Sequence, residues 1–232
     1  MIGFGNFGRK RNLEIESLSD ERLVMVDTTQ AGFYDNVRNY TSENDDIQEF
    51  VKAVREVKDV GTEPFYRPVM DPSLEGYKVV YKKGCKPVVG YSFDWWEKAI
   101  KDMPAVEGRK WQIGTEYQYY AFLVFLINQL VETGWHIKAA VEAVVLDSKD
   151  LGHYRNPIRE KANYEPVGSR KICGIYDLAN TYKILACTNG DGFWRGGGTY
   201  LDDSDCVPLA DINHINDTFD ANYHGTAWLV LK

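Results

Sequence analysis

The sequence predicts an α+β fold, on three observations. Amphipathic helical patterns fill the first two thirds, short apolar runs broken by Gly, Asn, Asp and Pro follow residue 151, and an apolar strand closes the chain at 227–231. Of 232 residues, 44% are hydrophobic and 26% charged, the balance of a packed protein with a sizeable core. This composition excludes disorder, collagen, coiled coil and a disulfide-dense miniprotein. Aromatic residues reach 13%, with 15 Tyr and 6 Trp, which suits both a loop-rich fold and a binding surface. The formal net charge of -7 argues against nucleic acid as the main partner, because phosphate neutralisation needs a basic stripe.

Residues 1–12 are glycine-rich, then basic, and read as an arm that docks on a neighbour. Gly3, Gly5 and Gly8 match the dinucleotide fingerprint as a string, but without the strand that must precede it. Segment 23–26 is a strand. Segment 42–57 is a helix with Ser42 as N-cap and a stripe of Ile47, Phe50, Val51, Val54 and Val57. Pro64, Pro68 and Pro72 then break regular structure, and 77–81 is a strand. Ser92 opens a second helix whose buried face is Trp95, Trp96, Ala99 and Ile100, ending near Pro104. Thr115 caps a third helix running to about Thr133. Its apolar stretch, 119–131, falls short of the roughly 20 residues that span a bilayer. Segment 141–146 fits helix or strand equally. The closing strand lacks polar alternation, so both of its faces are buried. With no repeat or linker, 13–232 is read as one domain.

The N-terminal charges follow the apolar residues, and no apolar signal region comes after them, so the reading is a product made in the cytoplasm. Cys85, Cys173, Cys187 and Cys206 show neither CxxC pairing nor metal-ligand spacing, and read as free thiols. His136, His153, His214 and His224 are scattered, and no G-x-S-x-G elbow occurs. Neither a catalytic constellation, a metal site nor a cofactor motif is predicted.

Three segments in order resemble the formylglycine-generating (sulfatase-modifying factor) family and its C-type-lectin-like fold. Residues 87–95 (PVVGYSFDW) are similar to the family's P-V-x-x-V-S-W-x-D-A. Residues 111–121 (WQIGTEYQYYA) are similar to its R-L-P-T-E-A-E-W-E-Y-A, with Gly114 in place of Pro, Gln118 of Glu and Tyr119 of Trp. Residues 166–168 (PVG), 174–182 (GIYDLANTY) and 194–200 (WRGGGTY) are similar to P-V-G, G-L-Y-D-M-x-G-N-V-W and V-x-R-G-G-S-W. The resemblance implies one C-type-lectin-like domain over 13–232. Asp177, Asn180, Arg195, Gly196 and Gly197 would then hold irregular chain in place, the glycines through positive φ and close backbone approach.

Oxidase members of that family carry a copper-binding cysteine pair after R-G-G-S. Here the corresponding loop offers Cys206 alone, with an aspartate where the first cysteine would stand, and one thiolate cannot make a two-coordinate Cu(I) site. Asp202, Asp203 and Asp205 read as a hard-cation loop or as a solvated acidic turn. The lectin-like branch of the fold, variable phage and bacterial surface-binding proteins, displays its binding face between R-G-G-S and the terminal strand. Here that is 200–223, and the expected ligand-binding residues are Tyr200, Asp202, Asp203, Asp205, Asn213, His214, Asn216 and Tyr223, adaptable polar groups around aromatic anchors.

The resemblance, the arm and the missing cysteine pair together lead to the expectation of a non-enzymatic bacteriophage virion protein, of the tail, fibre or capsid-associated kind. It would assemble as a homo-oligomer with other virion proteins and display a recognition loop to a cell-surface ligand, with neither nucleic acid nor membrane insertion. The alternatives are a cytoplasmic formylglycine-generating-type oxidase or a diverged enzyme of that family.

Overall fold

A computed structural model describes residues 22–75, 78–151, 171–176, 178, 182–188, 193–196, 208–215 and 225–232. The first part of the chain runs β1 (Leu23–Val26), α1 (Asp35–Arg38), α2 (Asp45–Val60), β2 (Phe65–Pro68), β3 (Ser73–Glu75), β4 (Lys78–Val80) and β5 (Lys86–Pro87). Then come α3 (Phe93–Lys101), β6 (Trp111–Ile113), α4 (Glu116–Glu132), α5 (Ile137–Val145) and a 3-10 turn (Ser148–Leu151). The regular elements among the described residues after these are strands: β7 (Lys171–Ile172), β8 (Ile175–Tyr176), β9 (Tyr182–Ala186), β10 (Phe193–Gly196), β11 (Ile212–Ile215), β12 (Gly225–Ala227) and β13 (Leu229–Leu231). This is the predicted α+β order, helices early and short strands late. No helix among the described residues is long and apolar enough to cross a membrane.

The helices form where capping and apolar periodicity coincide. α2 begins at Asp45 because Asn44, in extended conformation, accepts a hydrogen bond from the Ile47 amide at 3.1 Å. Ser42, the expected cap, instead accepts from the Asn44 amide and orders the turn before the helix. The helix also runs past Val57 to Val60, where Gly61 at φ +83° ends it. The five stripe residues Ile47, Phe50, Val51, Val54 and Val57 are all buried, as their spacing requires. Ser92 and Thr115 cap α3 and α4 as predicted. At α4, Thr115 Oγ1 accepts from the Gln118 amide while Gln118 Oε1 accepts from the Thr115 amide, a reciprocal capping box. α3 departs from expectation: Trp96 alone is fully buried, and Trp95, Ala99 and Ile100 are half-buried. The open choice at 141–146 resolves as helix, because α5 buries Ala140, Val141, Ala143, Val144 and Val145 against α2 and α4.

Proline did not prevent strands between residues 64 and 75. Pro68 lies at the last position of β2, paired to Leu23, where a missing amide is tolerated. β3 follows Pro72, and β4 fulfils the core of the strand expected at 77–81. β11 is a second correction, since it places a paired strand inside the segment 200–223 that reads as loop.

Two four-stranded sheets organise the molecule, in the orders β1-β2-β13-β6 and β11-β10-β9-β12. The closing segment belongs to both. β12 runs parallel to β9, and after the single residue Trp228 β13 pairs antiparallel with β2 and β6. Residues 225–231 are all buried, as the missing polar alternation predicts. The alternation is between two cores. Trp228 and Val230 enter the core built with α2, α4 and α5, whereas Ala227, Leu229 and Leu231 enter a second core with Trp96, Trp111 and Val88. β9 repeats the pattern, sending Leu185 to the first core and Ile184 to the second.

Trp228 is the hub of the first core. Its ring lies edge-on to Phe65 and Tyr119, with centroids 5.8 and 5.3 Å away, and meets Phe122 at 5.7 Å. It also covers Gly114 so closely that a Cβ there would stand 2.3 Å from Trp228 Cε3. That contact is the physical reason for glycine at this position. Gly114→Ala is therefore expected to destabilise by about 1–3 kcal/mol through overpacking. Thr115→Ala, removing the α4 cap, should cost about 1 kcal/mol. Urea unfolding followed by Trp fluorescence measures both, and a neutral Gly114→Ala would contradict the packing described.

Candidate functional site

β11 carries the predicted recognition residues that fall within the described residues, Asn213 and His214, and β10 carries the predicted structural residues Arg195 and Gly196. They pair antiparallel, with Arg195 opposite Asn213, Trp194 opposite His214 and Gly196 opposite Ile212. β11 is the outer strand of its sheet, so Asn213 and His214 stand on a sheet edge rather than in free loop. Tyr200, Asp202, Asp203, Asp205, Asn216 and Tyr223 lie outside the described residues, as do Asp177, Asn180, Gly197, Cys206 and the arm at 1–12. Gly196 has the close approach expected of it. A Cβ there would come within 2.9 Å of Tyr119 Cε1 and 3.3 Å of Leu185 Cδ1, so β10 lies directly on the aromatic face of α4. Its backbone lacks the left-handed φ also anticipated, and tight packing alone demands the glycine. Cys85, Cys173 and Cys187 are half-buried free thiols.

Beneath that strand pair the structure assembles a cluster that the sequence reading missed. Lys183 on β9 and Asp71 after β2 form an ion pair through Nζ and Oδ2, their side chains 2% and 4% exposed. Arg67 on β2 is 3% exposed; its guanidinium lies 4.6 Å from the centroid of Phe122, and its Nε donates to the Pro68 carbonyl at 2.9 Å. Ser73 is fully buried and donates to the Val80 carbonyl at 2.9 Å. Burial pushes the Tyr81 hydroxyl far above its ordinary range, and the Asp71 carboxylate adds to that while Arg67 opposes it. Tyr119 is shifted in the same direction by burial, with Arg67 again opposing, and its hydroxyl donates to the Leu209 carbonyl at 3.1 Å. Lys183 and Asp71 are 112 positions apart in sequence. The hint was available in retrospect: Arg67, Asp71 and Lys183 each interrupt an otherwise apolar or proline-bounded run.

The chemistry of this cluster is structural. A cavity of about 10 Å³, lined by Arg67, Asp71, Tyr81 and Trp228 among others, adjoins the charges. It has room for one water and none for a substrate. Because Lys183 stands on β9 and Asp71 in the connection between β2 and β3, the ion pair ties β9, and through it β10 and β11, to the β2 side of the molecule. The larger hollow lies elsewhere, an open cleft of about 320 Å³ between the β1–α1 turn and the end of α2, lined by Thr28, Gln30, Tyr34, Asp35, Lys58 and Thr62. Among the described residues no three His, Cys, Asp or Glu side chains converge to hold a metal ion.

Two outcomes are expected. Asp71→Asn or Lys183→Met alone should cost about 3–5 kcal/mol, because each removes one half of a buried ion pair, whereas the combined Asp71→Leu/Lys183→Met should recover part of that loss. Chemical denaturation of the three variants distinguishes this from independent, additive effects. The second concerns alkaline pH. The Tyr117 hydroxyl, donating to Glu56 at 2.7 Å, is pushed up to about 12 by that bond, and Tyr120 to about 12 by burial. Both folded values lie above the ordinary 10.0, so their stabilisation is complete below pH 10 and is lost as pH rises toward 12. Ultraviolet titration should therefore show a late-ionising tyrosine class that merges with alkaline unfolding.

Comparison of the chain with protein-family models, with curated proteins and with solved structures finds no match.

Proposed function

We propose that the chain is a non-enzymatic recognition and assembly module of a bacteriophage particle, with a C-type-lectin-like, sulfatase-modifying-factor-like fold. In this reading it is a tail, fibre or capsid-associated protein that forms homo-oligomers. It presents Tyr200, Asp202, Asp203, Asp205, Asn213, His214, Asn216 and Tyr223 to a cell-surface ligand or a neighbouring virion protein. The observation that carries the reading is the anchoring of 200–223 at both ends. The segment leaves from β10, which is packed on Tyr119, and returns to β12 and β13, which are buried in both sheets. Contact residues carried on an edge strand, β11, and on the chain to either side of it are the arrangement in which a rigid scaffold presents variable contacts. The buried Lys183–Asp71 pair supports the same reading, since it stiffens the strands that bear the segment.

The test combines assembly and chemistry on the full chain. Native mass spectrometry should show a homo-oligomer, and the triple variant Tyr200→Ala/His214→Ala/Tyr223→Ala should lose partner or particle attachment while keeping the parent's melting temperature. Copper titration with an oxygen-uptake assay on a cysteine-containing peptide should give no turnover. A stable monomer would sink the assembly reading. Stoichiometric Cu(I) binding with oxygen uptake, abolished by Cys206→Ala, would replace it with the oxidase.

A further inference from the structure

We infer that the face formed by the β4–β5 turn and the β7–β8 hairpin is a docking surface for an acidic glycan, a polysaccharide with carboxylates spaced along its chain. The proposal uses residues outside 200–223 and is independent of what that segment does. Its starting point is a local reversal of charge. The chain has 34 acidic residues and a net charge of -7, yet no Asp or Glu occurs between Glu75 and Asp94, while Lys82, Lys83 and Lys86 cluster around the Gly84 turn. Folding adds two more cations. Arg22, just before β1, donates through Nη1 to the Tyr81 carbonyl and so sits beside Lys82. The β7–β8 hairpin is tied by the Tyr176 amide to the Val69 carbonyl at 2.7 Å, which brings Lys171 to the same place.

Tyr176 gathers the charges. Lys83 Nζ lies 4.2 Å from the centre of its ring and Lys171 Nζ 5.5 Å from it. The two ammonium groups are therefore within about 10 Å of each other, comparable to the Debye length in physiological salt, so their fields add. Arg22, Lys82, Lys83, Lys86 and Lys171 are all exposed. Among the described residues Lys82 pairs with Glu75 on this face, and none of their carboxylates forms an ion pair with Lys83, Lys86 or Lys171. Two like charges held on one ring by two separate chain segments, the β4–β5 turn and the β7–β8 hairpin, make a preorganised anion site.

The size and setting of the patch select the partner. Duplex nucleic acid presents about one charge per 1.7 Å of axis, far more than five cations can meet, and it would bring that density against an otherwise acidic molecule. An acidic glycan spaces its carboxylates with neutral sugar rings, so a short basic island can engage it without facing a continuous polyanion.

The experiment is fluorescence anisotropy of labelled oligosialic acid with the full chain, over a range of NaCl concentrations. Binding is expected to weaken with salt, and Lys83→Gln/Lys171→Gln should lower affinity at least tenfold and reduce the log–log salt slope by about one per lysine removed. Lys58→Gln, on α2, should behave as the parent, and circular dichroism melting checks that all variants are folded. No binding at low salt, an unchanged slope in the double variant, equal binding of neutral dextran, or tighter binding of a DNA duplex through the same lysines would each overturn the proposal. None of these outcomes depends on whether the 200–223 segment recognises anything.

Discussion

A positive and a negative charge buried between two sheets set the terms for the rest of this fold. Taking Lys183 and Asp71 out of water costs several kcal/mol each, and their attraction offsets that cost if they meet in good geometry. β9 must therefore lie in one register relative to the chain after β2, because a one-residue slip would turn Lys183 toward the other core and away from Asp71. Apolar contacts alone tolerate many near-equivalent arrangements. A buried pair from distant chain positions does not.

The closing seven residues turn that constraint into architecture. A strand buried on both faces needs an apolar partner layer on each side, and here the layers are two cores with different builders. The first is helical, from α2, α4 and α5 with Phe65 and Trp228. The second is formed by short strands and α3, with Trp96, Trp111 and Val88. Trp228 and Gly114 form the joint: the Gly114 amide donates to the Trp228 carbonyl at 2.8 Å while the indole covers the space a side chain would need. The same residue thus serves packing and backbone pairing, which is why bulk at 114 has nowhere to go.

Much of the helical half was legible from local rules. The stripe of α2 and the caps Ser92 and Thr115 follow from spacing and from side chains that can accept amide hydrogen bonds. The errors have definite causes. Ser42 and Asn44 are both good caps, and the choice between them rests on which acceptor reaches the Ile47 amide. Proline was read as a breaker at 68, but at the end of a strand its missing amide costs nothing. For the candidate site less was legible. Gly196 was singled out and does pack against its neighbours, whereas Asn213 and His214 were read as loop and belong to an edge strand. Arg67, Asp71 and Lys183 went unnoticed because a charge in an apolar run signals burial only when its partner is known, and pairing across 112 positions leaves no local trace.

By itself, the sequence determined α2, α3 and α4, the caps of α3 and α4, the burial of the terminal strand on both faces and the acidic balance of the molecule. Each depends on interactions within a few residues or on composition. The tertiary structure alone decided which charges face one another, why residue 114 has no side chain, and how Lys83 and Lys171 come to share the Tyr176 ring. Those outcomes depend on segments far apart in the chain arriving at one point, and proximity of that kind is a property of the folded path.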